Sequence, residues 1–382
     1  MADTNNNVVR KITQNSIVST LAGNQTPRTI DGAGTSAEFT YPGGIASGSQ
    51  GNLYVTDQLA IRKITPANVV ATLAGSASPL PGTNDGTGAN ASFSEPTRLA
   101  TDHAGNLYVV DRSRAVRKVT PEGVVTTIAT SINSPSNDGT TYGPFGVATD
   151  VLGNVYIGFN HVGTPGSHFL TSSAFIKKIS PNGDGSVLAG SANRSGSVDG
   201  DELTASFSFL NAMVADNHGN LYVLDAGALR AISSDGKVTT LKQWTVSYPA
   251  GIALDSHGYI YASDVQANVV YRISPQGEAS IFVGESGASG YADGIGAAAR
   301  LSAQDIVFDD EDNLYVADGG NNVIRKVTPD GVVTTVIGTP GLYGFMPGPL
   351  PGVLKKPTGV ALSGRTLYVS MQKGVARVSN VP

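Results

Sequence analysis

The sequence predicts an all-β protein, a seven-bladed β-propeller of four-stranded antiparallel blades closed by strand from its own N-terminus. Three observations predict it. A short apolar run with tyrosine in second place recurs seven times, as Leu53-Tyr54, Leu107-Tyr108, Val155-Tyr156, Leu221-Tyr222, Ile260-Tyr261, Leu314-Tyr315 and Leu367-Tyr368. These copies use half of the 14 tyrosines and recur roughly every 55 residues, the mark of a repeat architecture. Each copy stands in the same order of short β-rich segments separated by turn chemistry. In the third segment apolar residues lie three apart, as Ile61 and Ile64 or Val116 and Val119 do, so both faces of the sheet require cover.

The elements follow in a fixed order. Strand a reads "GIASGS" (44–49), "GVATDV" (146–151) or "GIALDS" (251–256), and a glycine-rich turn follows it. Strand b is the tyrosine anchor. Strand c reads "IRKIT", "VRKVT" or "IRKVT", and after a turn strand d reads "VVATLAG", "VVTTIAT" or "VVTTVIG". Four such strands make an antiparallel meander, and a small sheet needing cover on both faces, repeated in tandem, is a propeller blade. The chain opens on an orphan c–d hairpin at 8–23 and ends on a, b and c-like strands at 359–379. The N-terminal strand d therefore completes the last blade and removes a free sheet edge. One strand c is then in surplus, and a six-bladed ring is the alternative, at the cost of a whole anchor. The chain reads as one domain, 1–382.

Composition bounds the partners. The net charge is −5 and only 14% of residues are charged, which gives no electrostatic reason for nucleic acid. No apolar run reaches the ~18 residues of a spanning helix, and there is no cysteine for disulfides or thiol chemistry. The opening "MADTNNNVVRKIT" has no basic-then-apolar leader. The expectation is a monomeric, exported protein whose leader is missing from this chain, with a cytoplasmic home as the alternative.

"GNLYVTDQLAIRKIT", "GNLYVVDRSRAVRKVT" and "DNLYVADGGNNVIRKVT" resemble the core pattern of the NHL-repeat family, and the "TLAG…DGTG…F…P" stretch resembles its bacterial form. The resemblance covers essentially the whole chain. It implies propellers that bind protein, RNA or glycan, with a minority of enzymes such as a zinc-dependent peptide-amidating lyase and, more distantly, calcium-dependent lactonases. This chain lacks a converging histidine set for the former and an axial acidic set for the latter.

The recurrent side chains read as scaffold. Asp57, Asp111, Asp225, Asp264 and Asp318 close strand b and are expected to cap the b–c turn. The Asp-Gly pairs at Asp31, Asp85, Asp138, Asp199 and Asp293 read as solvated turns. Arg62-Lys63 and Arg117-Lys118 read as solvated blade flanks. His103, His218 and His257 fall in a–b turns, expected to stand apart at the rim. No nucleophile elbow, phosphate loop or metalloprotease motif is present. No cofactor is assigned, and a divalent cation stays open.

The breaks in the repeat carry the functional reading. Where strand a begins, Gly44, Gly146, Gly251 and Gly359 give way to Arg98, Ala212 and Asp305. A charge at a crowded position is costly unless paired or hydrated, so Arg98 and Asp305 are candidates for contacting a ligand at the channel mouth, beside Phe145 and Asn211. Strand b ends on Phe159 and Met371 in place of aspartate in blades three and seven. Blade three also carries the insertion 160–173, with His161, His168 and Phe169. Trp244 and Tyr248 precede blade five, and Tyr343 and Phe345 precede blade seven. In a propeller the b–c and d–a loops share one end, so these residues define a loop-rich face suited to a protein segment or glycan. The rival reading is a lyase or hydrolase, with Asp305 as base, Arg98 stabilising negative charge, and His161 or His168 as acid.

Overall fold

In the computed structural model, the repeat folds as its strand pattern requires. The structure describes residues 2–3, 8–12, 18–24, 26–40, 42–47, 51–75, 82–94, 96–102, 104–111, 115–130, 132–133, 141–162, 173–192, 194–244, 251–309, 311–342, 354, 357–363, 366–371 and 374–379. Among them the strands form seven sheets, of which six have four or five strands and are antiparallel throughout. The first sheet contains strands a to d as Pro42–Ser47, Leu53–Asp57, Ala60–Ile64 and Val69–Gly75. The second contains Pro96–Thr101, Leu107–Asp111, Ala115–Val119 and Val124–Thr130. The third contains Thr141–Thr149, Val155–Val162, Ala174–Ile179 and Gly185–Gly190. Strand a of the fourth, fifth and sixth sheets is Leu210–Ala215, Gly251–Leu254 and Ala303–Phe308.

Strand a of each sheet packs on strand a of the next, and Pro357–Ser363 of the seventh packs on Pro42–Ser47 of the first. This closed cycle of inner strands is the propeller arrangement, with strand a along the channel. Strand b is buried along its length in the first, second, fifth and sixth sheets, because neighbouring sheets cover both of its faces. The core is accordingly a series of layers between sheets. One layer joins Tyr54 and Ile61 of the first sheet to Leu107 and Val109 of the second.

The seventh sheet keeps both c strands. Gly374–Ser379 pairs antiparallel with strand b (Thr366–Met371), and Val8–Ile12 lies parallel to it through Ile12 and Val378. Val18–Ala22 then pairs with Val8–Ile12, so N-terminal strand closes the ring and neither c strand is displaced.

What ties each sheet to the connection leading into it was not legible as such. Arg62, Arg117, Arg230 and Arg325 of strand c are fully buried, not solvated flanks. Arg62 donates to Asp57 at 2.8 Å and to Asp31 at 3.1 Å, and also to the carbonyls of Glu38 and Ile30. Arg230 and Arg325 repeat the pairing with Asp225/Asp199 and Asp318/Asp293, and Arg117 with Asp85 and, at 3.8 Å, Asp111. An aromatic ring lies under each guanidinium, Phe39, Phe93, Phe207 or Tyr291, at 4.8 to 5.2 Å. The Asp-Gly residues are thus ion-pair partners rather than free turns, each also held by a strand d threonine such as Thr72 or Thr127. Asp138 lies outside the described residues.

The aspartates closing strand b are scaffold, but mostly by another route than expected. Asp57, Asp111, Asp225 and Asp318 accept the backbone N–H of Thr40, Ser94, Ser208 and Ser302 from the incoming d–a connection. Asp264 instead caps the b–c turn, accepting the N–H groups of Gln266 and Ala267. Burial pushes the Asp57 carboxyl up to about 7 against the opposing pull of Arg62, and burial likewise raises Asp318. At Asp85 and Asp199 burial acts upward too, but hydrogen bonds from threonine and arginine outweigh it and hold both below the ordinary value.

Candidate functional site

At the loop-rich end, strand a pairs with strand b through a β-bulge or register shift in the first four sheets, the sixth and the seventh, whereas the described strand of the fifth pairs in unbroken register from Gly251. Four of the shifts fall between Pro96 and Arg98, Pro144 and Gly146, Leu210 and Ala212, and Ala303 and Asp305. Phe145 and Asn211 are the extra residues of two of them, on adjacent sheets. Phe145 meets Phe209 with ring centroids 5.8 Å apart, and Phe209 is 41% exposed. Phe209 is not part of the repeat pattern and escaped sequence reasoning. Its N–H is fixed by Asp225, so the ring is presented from a rigid backbone.

Arg98 and Asp305 occupy the same register position on the second and sixth sheets. Asp305 accepts the N–H of Val360 at 3.0 Å and so ties the sixth sheet to the seventh. It also crowds the fifth: a Cβ on Gly251 would meet the Asp305 Cα and Oδ1 at 2.9 Å and Ser263 Oγ at 2.6 Å. Glycine is required there, whereas at Gly146 the nearest atom is Met213 Cε at an ordinary 3.5 Å.

Two aromatic candidates are withdrawn from any ligand. Phe159 is fully buried and stacks on Phe175 at 4.9 Å, filling the space that the Asp–Arg pair occupies elsewhere, with Lys177 in the arginine position. Trp244 is 8% exposed and packs on Tyr271. Strand b of the third sheet extends through Val162, so His161 lies in a strand opposite Tyr142 rather than in the loop. Met371 pairs with Pro357 at the aspartate position. For Arg98, His161 and Met371 the description extends to the backbone only, and His168, Phe169, Tyr248, Tyr343 and Phe345 lie outside the described residues.

The opposite end of the channel is built by the a–b turns. Asp102, Asp150, Asp216, Asp255 and Asp309 follow strand a, and each accepts the N–H of the residue four further on. The anchor tyrosine explains itself here: Tyr108, Tyr156 and Tyr261 donate their hydroxyls to Asp102, Asp150 and Asp255. Burial first, then the neighbouring carboxylate, raises the phenols of Tyr108 and Tyr156. A cavity of about 650 Å³ opens at this end between the fourth, fifth and sixth sheets. His218 and His257, expected to stand apart, both line it. Among the described residues no three histidine or carboxylate side chains converge to hold a metal ion. No helix among them is long and apolar enough to cross a membrane.

No family model matches the chain, and no curated protein matches it by sequence. Solved structures match by fold. Virginiamycin B lyase from Staphylococcus aureus gives a TM-score of 0.59 at 16% identity over 87% of this chain and 92% of its own, and its catalytically inactive variant with quinupristin gives the same values. A streptogramin B lyase gives 0.60 at 13% identity over 92% and 93%. An auxiliary nutrient binding protein from Bacteroides thetaiotaomicron gives 0.51 at 15% identity over 87% and 90%. At these identities the likeness establishes a β-propeller-like fold and leaves activity to the site.

Proposed function

We propose that the protein is an NHL-type propeller, its seven sheets forming seven blades, that serves as a binding module for a protein segment or glycan at the loop-rich end of its channel. The observation that carries the reading is the Phe145–Phe209 pair, with Phe209 exposed and Asn211 on the adjoining bulge. Aromatic faces on rigid backbone stack on sugar rings and apolar side chains, and a neighbouring amide supplies direction. An auxiliary nutrient binding protein of similar fold agrees with this, and we place the protein outside the cytoplasm. We assign no cofactor and a monomeric state.

A lyase is the second reading, favoured by the two lyases of similar fold. It needs Asp305 as a base with a histidine in reach. Asp305 accepts the N–H of Val360, His218 and His257 stand at the other end of the channel, and His161 lies at the loop-rich end on strand b of the third sheet.

The test is a thermal-shift and calorimetric screen of the whole chain with maltohexaose, xylohexaose and a proline-rich decapeptide, beside Phe209→Ala and Asn211→Ala. A ligand of the native state raises the melting temperature. A response to one probe that both substitutions weaken supports the reading. A response indifferent to both removes the site from this end, and chromatographic conversion of quinupristin would establish the lyase instead.

A further inference from the structure

We propose that the cavity at the a–b end of the channel is a binding site for an organic ammonium, a protonated amine carried on an apolar body. The proposal concerns the end opposite the loop-rich face and stands independently of the function assigned there.

Shape and floor come first. The cavity of about 650 Å³ lies in the range that holds small organic ligands. A second, of about 310 Å³, shares Ala215, Asp216 and Asn217 with it and continues toward the second and third sheets. The floor of the larger one is apolar: Val214, Ile252, Leu254 and Phe308 line it from strand a and are only half-buried. Their burial is unfinished, and an apolar body would complete it.

Charge then selects the ligand. Asp216, Asp255, Asp309 and Asp312 stand around this floor, and among the described residues no lysine or arginine lines either cavity. The first three are fixed by the turns they cap. Asp312 departs from the repeat: the a–b turns of the first five sheets place Gly51, Gly105, Gly153, Gly219 and Gly258 at that point with φ of 71 to 83°, and Asp312 takes the same left-handed backbone at φ 58°. An aspartate bears that conformation less easily than glycine. Its carboxylate reaches across to the fifth sheet, accepting from Ser256 N–H at 2.9 Å and Ser256 Oγ at 2.6 Å, with His257 Nδ1 at 3.3 Å. Burial acts to raise this carboxyl, but the serine bonds and His257 outweigh it and hold it below its ordinary value.

A wall in which four carboxylates face two histidines, with no lysine or arginine among the described lining residues, repels anions at neutral pH. It does not chelate, because the described acids do not converge on one point. A delocalised negative potential above an apolar floor fits a cation whose charge and hydrophobic part are separate. A neutral sugar would leave the floor uncovered, and a bare metal ion would leave it untouched.

The test is calorimetry on the whole chain with phenethylammonium chloride, 2-phenylethanol, 3-phenylpropionate and calcium chloride. Phenethylammonium binds, more weakly as salt rises, while the alcohol and carboxylate of the same shape do not respond at that concentration. Asp312→Gly restores the residue of the other turns, keeps the fold, and weakens binding about five-fold. Leu254→Arg sets a cation on the floor and abolishes binding, and Phe209→Ala at the far end changes nothing. Equal binding of alcohol and amine, binding of the carboxylate, a response to calcium alone, or full affinity in Asp312→Gly would each overturn the proposal.

Discussion

The guanidinium of Arg62 lies 2.8 Å from the Asp57 carboxylate with neither side chain exposed to solvent, and Asp31, half-exposed, takes the other amino group at 3.1 Å. The pair joins strand c to the end of strand b, and Asp31 joins it to the connection arriving from the preceding sheet. Each guanidinium in this position leaves its Nε–H without a partner, so the arrangement is held by position more than by full satisfaction. Its stabilising value lies in not leaving one charge alone, since removing a single member of a buried pair costs far more than removing both.

That asymmetry gives the first prediction. Arg325→Met leaves Asp318 buried with Ser302 N–H and Asn321 as its remaining partners, and is expected to lower unfolding free energy by about 3–5 kcal/mol. Adding Asp318→Asn removes the stranded charge while keeping an acceptor for Ser302. Urea unfolding of the double variant should recover at least half of the loss. A double variant as unstable as the single one would mean that the pair is worth its full Coulomb attraction.

The ring, its order of strands and its closure were legible because they follow from a repeated local pattern, in which one correct reading serves every copy. Arg62 and Asp31 were not, because each has a sufficient local explanation. Arg-Lys in a strand reads as a solvated flank, and Asp-Gly reads as a turn. Their pairing spans 31 residues and exists only once the d–a connection folds back on the sheet. The site divides in the same way. Asp305, Asn211 and Phe145 could be placed because they hold fixed positions in the repeat, whereas Phe209 belongs to a connection of variable sequence. Asp312 stands in the glycine position of a regular turn and was readable as a departure. Its meaning depends on Ser256 and His257 of another sheet, which sequence spacing does not bring together.

The second prediction concerns pH. Asp57 rises from 3.8 to about 7 in the folded state, so between those values the folded chain binds more protons than the unfolded one, and stability falls as pH rises through the window. Asp318 is raised and acts in the same direction. Asp85 and Asp199 are lowered, so their contribution is present above the ordinary carboxylate value and is lost as pH falls below it. Melting temperature should therefore pass through a maximum at mildly acidic pH, near ~4–5, and decline toward neutrality. Asp57→Asn removes the larger titration and should flatten the decline between pH 4 and 7. A melting temperature that climbs steadily to pH 7 in the wild type would show that Asp57 is ionised throughout, held so by Arg62.

The third prediction comes from the sheet in which the module is half kept. Asp264 closes strand b of the fifth sheet and is as buried as its counterparts, but strand c places Tyr271 opposite Ala262, where the first sheet places Arg62 opposite Val55. Asp264 Oδ1 accepts the turn N–H groups of Gln266 and Ala267, while its buried Oδ2 has no hydrogen-bond partner. Trp244 packs against Tyr271 with the rings tilted at 47° and their centroids 5.3 Å apart, and its indole N–H is likewise without one. A buried carboxylate oxygen without a partner is destabilising, whereas an amide there keeps the Oδ1 bonds and carries no charge. Asp264→Asn is therefore expected to be neutral or to stabilise by about 1 kcal/mol. Asp225→Asn, which breaks a full pair with Arg230, should destabilise by about 2 kcal/mol or more. Urea unfolding of the two variants side by side reads the difference directly. Equal losses would mean that Asp264 Oδ2 is satisfied in solution by an ordered water or a cation, and adding calcium chloride or guanidinium at millimolar concentration would then separate those two occupants.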